Sequence, residues 1–211
     1  RQSALLRISA LLRDRGLQSD DWDVSNQEVL HRELGSGWAP LEAAVDRGHV
    51  NHAVKLPGFK GILSHFTQPG KAFADELADR VKFIACIERP NLLHEEAFEE
   101  SDSISSPNIK VIPGTTWQKL RSALGATDDD AVLLIWGPRE DIPMALETIE
   151  ERCRLAFEGV PNETRKGLSD GTTIFERVLP GPDRMYPDTD SAPLPVEDDY
   201  IEKIRQNIAV D

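Results

Sequence analysis

Residues 128–157 read DDDAVLLIWGPREDIPMALETIEERCRLAF: a polar turn, an uninterrupted apolar run, then a helical repeat. Asp128–Asp130 supplies the turn, and Ala131–Trp136 is apolar at every position, as a strand buried on both faces is. From Asp141 to Phe157 the residues Ile142, Ala145, Leu146, Ile149, Cys153 and Ala156 recur every three or four positions and form one stripe. A buried strand followed by a one-faced helix implies a sheet with helices laid on it.

The alternation continues upstream. His49–Leu56 reads as a strand closed by Pro57-Gly58, and Lys71–Lys82 as a helix with Phe73, Leu77 and Val81 on one face. Phe83–Ile87, which contains Cys86, has the composition of a buried strand. Strands at 49–56, 83–87 and 131–136 are therefore expected in one sheet, with helices 71–82 and 141–157 burying Phe73, Leu77, Ile149 and Cys153 against it. Residues 4–15 form an amphipathic helix stopped by Gly16. Ser25 or Asn26 caps a further helix running to Leu34, with Glu28 at capping-box distance from Ser25. Pro40 opens a short helix that Gly48 ends, and Thr115 or Thr116 opens another that ends at Gly125. Residues 88–113 read as an exposed acidic and Ser-rich excursion with a short strand at Ile109–Ile112. The expected fold class is α+β, a two-layer domain.

At Gly159 the character changes. Pro161, Gly167, Gly171, Pro180, Gly181, Pro182, Pro187, Pro193 and Pro195 punctuate the next stretch, where only Thr172–Leu179 alternates like a strand. Helical spacing returns between Pro195 and Asn207.

The 24 basic and 37 acidic residues give a net charge of −13, spread along the chain. Bulk attraction to phosphate therefore cannot drive non-specific nucleic-acid binding, and no tRNA binding by this chain alone is expected. The apolar fraction of 39% excludes disorder, and the longest apolar run falls far short of the ~20 residues of a membrane helix. Cys86 and Cys153 read as small buried hydrophobes in a reducing cytosol. The chain opens on Arg1 without a charged-then-apolar leader, so no secretory signal is expected, and a piece of a longer protein is.

No metal-ligand spacing stands out: His49 and His52 would face opposite sides of a strand, and Asp128–Asp130 lacks the rest of a calcium loop. Pro57-Gly58-Phe59-Lys60-Gly61 follows a strand as a phosphate loop would, yet lacks the Lys-Ser/Thr pair, so a tight turn is expected. No nucleophile motif occurs. The polar groups of 159–195 are the richest: Arg165, Arg177 and Arg184 are fork donors for phosphate or carboxylate, and Asp188 and Asp190 are acceptors. They read equally as a site or as a network of Arg–Asp pairs holding an irregular surface.

These motifs resemble one family. Gly159-Val160-Pro161 with Glu163-Thr164-Arg165, Asp170-Gly171-Thr172-Thr173, Leu179-Pro180-Gly181 and Arg184-Met185-Tyr186-Pro187 with Thr189-Asp190 are similar to the E subunit of archaeal-type glutamyl-tRNA(Gln) amidotransferases. So are Ala53–Gly61, Glu76–Arg80 and the first helix. The resemblance implies a GAD-type insertion domain at 21–158, of the kind shared with bacterial aspartyl-tRNA synthetases. It implies that 1–20 and 159–195 belong to a cradle-shaped catalytic domain, and that 196–211 begins a helical region. It implies a cytoplasmic enzyme that uses ATP and magnesium to activate the γ-carboxylate of glutamate on tRNA(Gln). Ammonia from an amidohydrolase partner subunit then displaces phosphate. Arg165, Arg177, Arg184, Tyr186, Asp188 and Asp190 become the substrate- or phosphate-facing candidates, expected on one surface, and the chain alone is expected to be inactive. Asp188 departs from a usual glutamate, and 88–113 matches poorly. The alternative is a non-catalytic GAD-type ligand-binding or interaction module; residues 159–190 argue against a synthetase.

Overall fold

The structure, a computed structural model, describes residues 1–96 and 111–178. Arg1–Val178 form one unit. Its elements are α1 (Gln2–Asp14), β1 (Ser25–Val29), α2 (His31–Leu34), α3 (Ala39–Asp46), β2 (Val50–Leu56), β3 (Phe66–Gln68) and β4 (Lys71–Ala72). They continue as α4 (Phe73–Ala85), β5 (Leu92–His94), α5 (Gly114–Ala123), β6 (Ala131–Gly137), α6 (Ile142–Glu158), β7 (Glu163–Gly167) and β8 (Thr173–Val178).

The main sheet is antiparallel in the order β1-β2-β6-β5, with Leu56 opposite Ala131 and Leu92 opposite Ile135. Strand β6 is an inner strand, and side chains alternate across its two faces. Leu133 and Ile135 enter a core with α1, α4 and α6; Val132, Leu134 and Trp136 enter a second core with α2, α3 and α5. That double burial is why the run is apolar at every residue. The fold is α+β, with the three long helices on one face and three shorter ones on the other. Helices α4 and α6 bury Phe73, Leu77, Ile149 and Cys153 as their stripes require. Burial pushes the Cys153 thiol well up, so it stays protonated and inert.

Local signals lose to the sheet in two places. Ser25–Val29 is a strand rather than the first turns of a helix, and only His31–Leu34 is helical. Ser25 to Glu28 are exposed, and the ladder with β2 (Ser25 opposite Lys55, Val29 opposite Asn51) satisfies backbone groups that a cap would have served. Phe83–Ile87 is no strand either. The stripe Leu77, Val81, Ala85 carries α4 to Ala85, while Phe83 points outward at 44% exposure. Cys86 caps that helix in the left-handed region, φ +59°, and is exposed rather than buried. The expected sheet position is filled by Leu92–His94.

Within 88–113, Glu95 and Glu96 are held rather than free. Glu95 takes Arg121 and the Val132 amide (3.1 Å), and Glu96 takes the amides of Gly61 (2.6 Å) and Ser64 (2.9 Å). Of the strand expected at 109–112, the first two residues lie outside the described residues; Val111 and Ile112 are irregular, with Ile112 in the second core. The helix expected after Pro195 also lies outside them.

Candidate functional site

Helix α4 carries charge where its pattern should be apolar. Asp75, Glu76, Asp79 and Arg80 are all buried. Spacing at i, i+4 sorts them into two rows. Asp75 and Asp79 both accept from Arg89, at 2.9 and 2.7 Å. Glu76 and Arg80 face α6 and the β7–β8 hairpin. Glu76 accepts from Arg152 of α6 (2.7 Å) and from Arg1 (2.8 Å), and Arg80 pairs with Glu163 of β7. Glu163 also takes Arg1 (2.8 Å) and Arg165 (2.6 Å).

The result is a buried seam of four guanidiniums on two carboxylates, joining α1, α4, α6 and β7. Burial alone would raise the Glu76 carboxyl; Arg152 and Arg1 overcome it and hold it at about 2. Burial acts on Arg80 in the opposite sense, pulling it down against the pull of Glu163. The surplus cations rest on aromatic faces: Arg152 lies 4.7 Å from the centre of the Phe73 ring, and Arg80 4.5 Å from that of Phe175. Nε and Nη1 of Arg152 and Nη1 of Arg80 have no hydrogen-bond acceptor among the described residues. The ring faces are what they meet instead.

Two further locks fix the hairpin. The Gln68 amide donates to the Thr173 carbonyl (2.8 Å) and accepts from its N–H (2.7 Å), as a strand backbone would. Asp170 accepts from the Thr172 N–H (2.8 Å) and hydroxyl (2.7 Å), closing the turn between β7 and β8; these bonds hold its carboxyl low. The motif at 170–173 is thus a turn and a docking point.

Of the expected site residues, Arg165 is turned inward, on Glu163 and Thr173, while Arg177 on the neighbouring strand is exposed. The structure does not bring their guanidiniums together. Arg184, Tyr186, Asp188 and Asp190 lie outside the described residues. The seam residues Arg1, Glu76, Arg80, Arg152 and Glu163 had a legible sign in part: Glu76 and Arg80 sit in the apolar stripe of α4, and Arg152 among Ile149, Cys153 and Ala156.

The strand-exit loop at 57–61 is a turn. Gly58, at φ +70°, donates its N–H to Asp130 (2.9 Å), and the Gly61 N–H is taken by Glu96. Asp130 is therefore buried and structural, unlike a solvated turn residue. Two carboxylates occupy the amides that a phosphate would need. Among the described residues no group of three His, Cys, Asp or Glu could hold a metal ion.

An α+β unit with this sheet and its flanking helices defines a class. The GAD domain family matches residues 41–146, half of the chain, and the chain belongs to that family. Over 99% of its length it is similar to the E subunits of the glutamyl-tRNA(Gln) amidotransferases of Methanopyrus kandleri (33% identical) and Methanocaldococcus jannaschii (36%). The corresponding protein of Pyrococcus abyssi is 33% identical over the same share. The chain spans 31% of the length of each of these relatives.

Proposed function

We propose that this chain is the GAD-bearing part of an E-type subunit of a tRNA-dependent amidotransferase, which converts Glu-tRNA(Gln) to Gln-tRNA(Gln). One observation carries this reading. The similarity to the amidotransferase E subunits runs through α1, the β7–β8 hairpin and beyond, far outside the 41–146 match that any GAD protein shares.

The reaction class demands a phosphoryl donor, since a carboxylate does not react with ammonia until it carries a leaving group. ATP with magnesium is that donor in this proposal, an amidohydrolase partner subunit supplies ammonia, and tRNA(Gln) carries the glutamyl group. Neither the 57–61 loop nor Arg165 is free for a nucleotide: the Gly58 and Gly61 amides are committed to Asp130 and Glu96, and Arg165 to Glu163. Nor do the described residues fit magnesium, for want of a carboxylate cluster among them.

The contribution of the seam residues is mechanical. The seam welds the GAD domain to the segments on either side of it, fixing the base from which residues after β8 depart. Residues 1–20 and 159–195 are assigned to the cradle, 21–158 to the GAD insertion and 196–211 to a helical region. Arg177, Arg184, Tyr186, Asp188 and Asp190 remain the substrate- or phosphate-facing candidates, and Arg165 serves as their anchor. The setting is cytoplasmic.

A segment exchange tests this. The chain replaces the matching segment of the Methanocaldococcus jannaschii relative, and the chimaera is assayed with its amidohydrolase partner and Glu-tRNA(Gln). ATP-dependent amidation by the chimaera, with none by the 211-residue chain alone, is expected. A chimaera that folds and assembles yet does not amidate contradicts the proposal. So do Arg184→Ala and Asp190→Ala variants that both keep full turnover, for the site assignment.

A further inference from the structure

The second face of the sheet leaves a cavity of about 420 Å³ between β1, α2 and α5, a size typical of small-molecule sites. Its apolar lining comprises exposed Ala123 and half-buried Leu124, backed by the buried Val29, Ala53 and Leu120. Arg32 and Glu33 of α2 and Lys119 of α5 also line it. None of these three has an ion pair or hydrogen bond to another side chain among the described residues. Glu28, which also lines the cavity, is by contrast engaged by Arg139 at 2.6 and 2.9 Å. The cavity thus presents two uncommitted cations and one uncommitted anion beside an apolar lining, in a chain whose net charge is −13.

We propose that this cavity binds a free α-amino acid with an apolar side chain of about leucine size. The carboxylate lies between Arg32 and Lys119, the ammonium group meets Glu33, and the side chain rests on Ala123 and Leu124. Both charged ends are needed, since a carboxylate alone leaves Glu33 facing it and an amine alone meets two cations. The proposal stands apart from the amidotransferase reading, because it concerns a face that the seam does not touch.

Nuclear magnetic resonance titration of the 211-residue chain tests it with three probes: L-leucine, L-leucinamide and 4-methylpentanoate. Leucine is expected to shift resonances of β1, α2 and α5 saturably, with Kd on the order of 0.1–1 mM, as suits a ligand of so few atoms. Each probe lacking one charge should bind at least about tenfold more weakly. The Arg32→Ala/Lys119→Ala variant changes only exposed positions, so its Tm should hold while its leucine affinity falls at least about tenfold. The proposal is overturned by equal binding of all three probes, or by unchanged binding in the variant. The absence of saturable shifts at about 10 mM leucine overturns it, as does tighter binding of an extended peptide with blocked ends.

Discussion

The two faces of the central sheet are built on different terms. One carries α1, α4 and α6, whose apolar stripes meet Leu133 and Ile135, and a seam in which every carboxylate is shared between two or three guanidiniums. The other carries short helices, an apolar core around Trp136 and three charges, Arg32, Glu33 and Lys119, without side-chain partners among the described residues. Charge on the first face is spent inside the protein, where removing a partner leaves an ion stranded. On the second it remains available. The same residue types thus make a joint on one side and a receptive surface on the other, and burial decides which.

The contrast predicts unequal responses to substitution. Glu76→Gln strands Arg152, fully buried on α6, and should cost about 3–5 kcal/mol of stability by urea unfolding. A cost below about 1 kcal/mol would mean that the seam is not a joint. Acid sharpens the test. The folded Glu76 carboxyl, held at about 2, lies below its ordinary 4.5, so its contribution is complete above that value and is lost as pH falls toward 2. A shift of this size amounts to about 3 kcal/mol. The stability gap between wild type and Glu76→Gln should therefore narrow as pH falls through that window; a constant gap contradicts the pairing.

Gln68→Ala removes three hydrogen bonds to Thr173, two to its backbone and one from its hydroxyl, and should cost about 1–2 kcal/mol, less than any break in the seam. The smallest effect belongs to the second face, where Arg32→Ala and Lys119→Ala should each stay within about 0.5 kcal/mol. Larger losses there would show that these charges are structural after all.

What the sequence discloses follows the same division. Strand β6 and helix α6 are legible because burial imposes one pattern over many residues: a continuous run for an inner strand, a single stripe for a packed helix. Strand β1 is not, since an edge strand with four exposed residues carries no alternation, and the capping signal at Ser25 and Glu28 points to helix. Phe83–Ile87 misleads because an apolar run of five residues suits a helix end as well as a strand, and only the packing of Ala85 and the outward turn of Phe83 distinguish them. The seam is half visible: charges within the stripe of α4 mark it, but Arg1 lies 75 residues from its partner Glu76 and Glu163 lies 83 residues from its partner Arg80, pairings that no local pattern encodes. Arg165 was legible as a site candidate by type alone, and its inward turn depends on a hairpin whose first strand has no alternating signal.

Hydrogen exchange tests the joint most directly, comparing the amides of β7–β8 with those of β6 in the wild type and in Glu163→Gln. If the GAD domain and its flanking hairpin are one body, the wild-type hairpin is protected to nearly the level of β6, and Glu163→Gln lowers protection in β7–β8 while β6 keeps it. A hairpin that already exchanges at the rate of a free loop in the wild type, or that is indifferent to the loss of Glu163, would contradict the account.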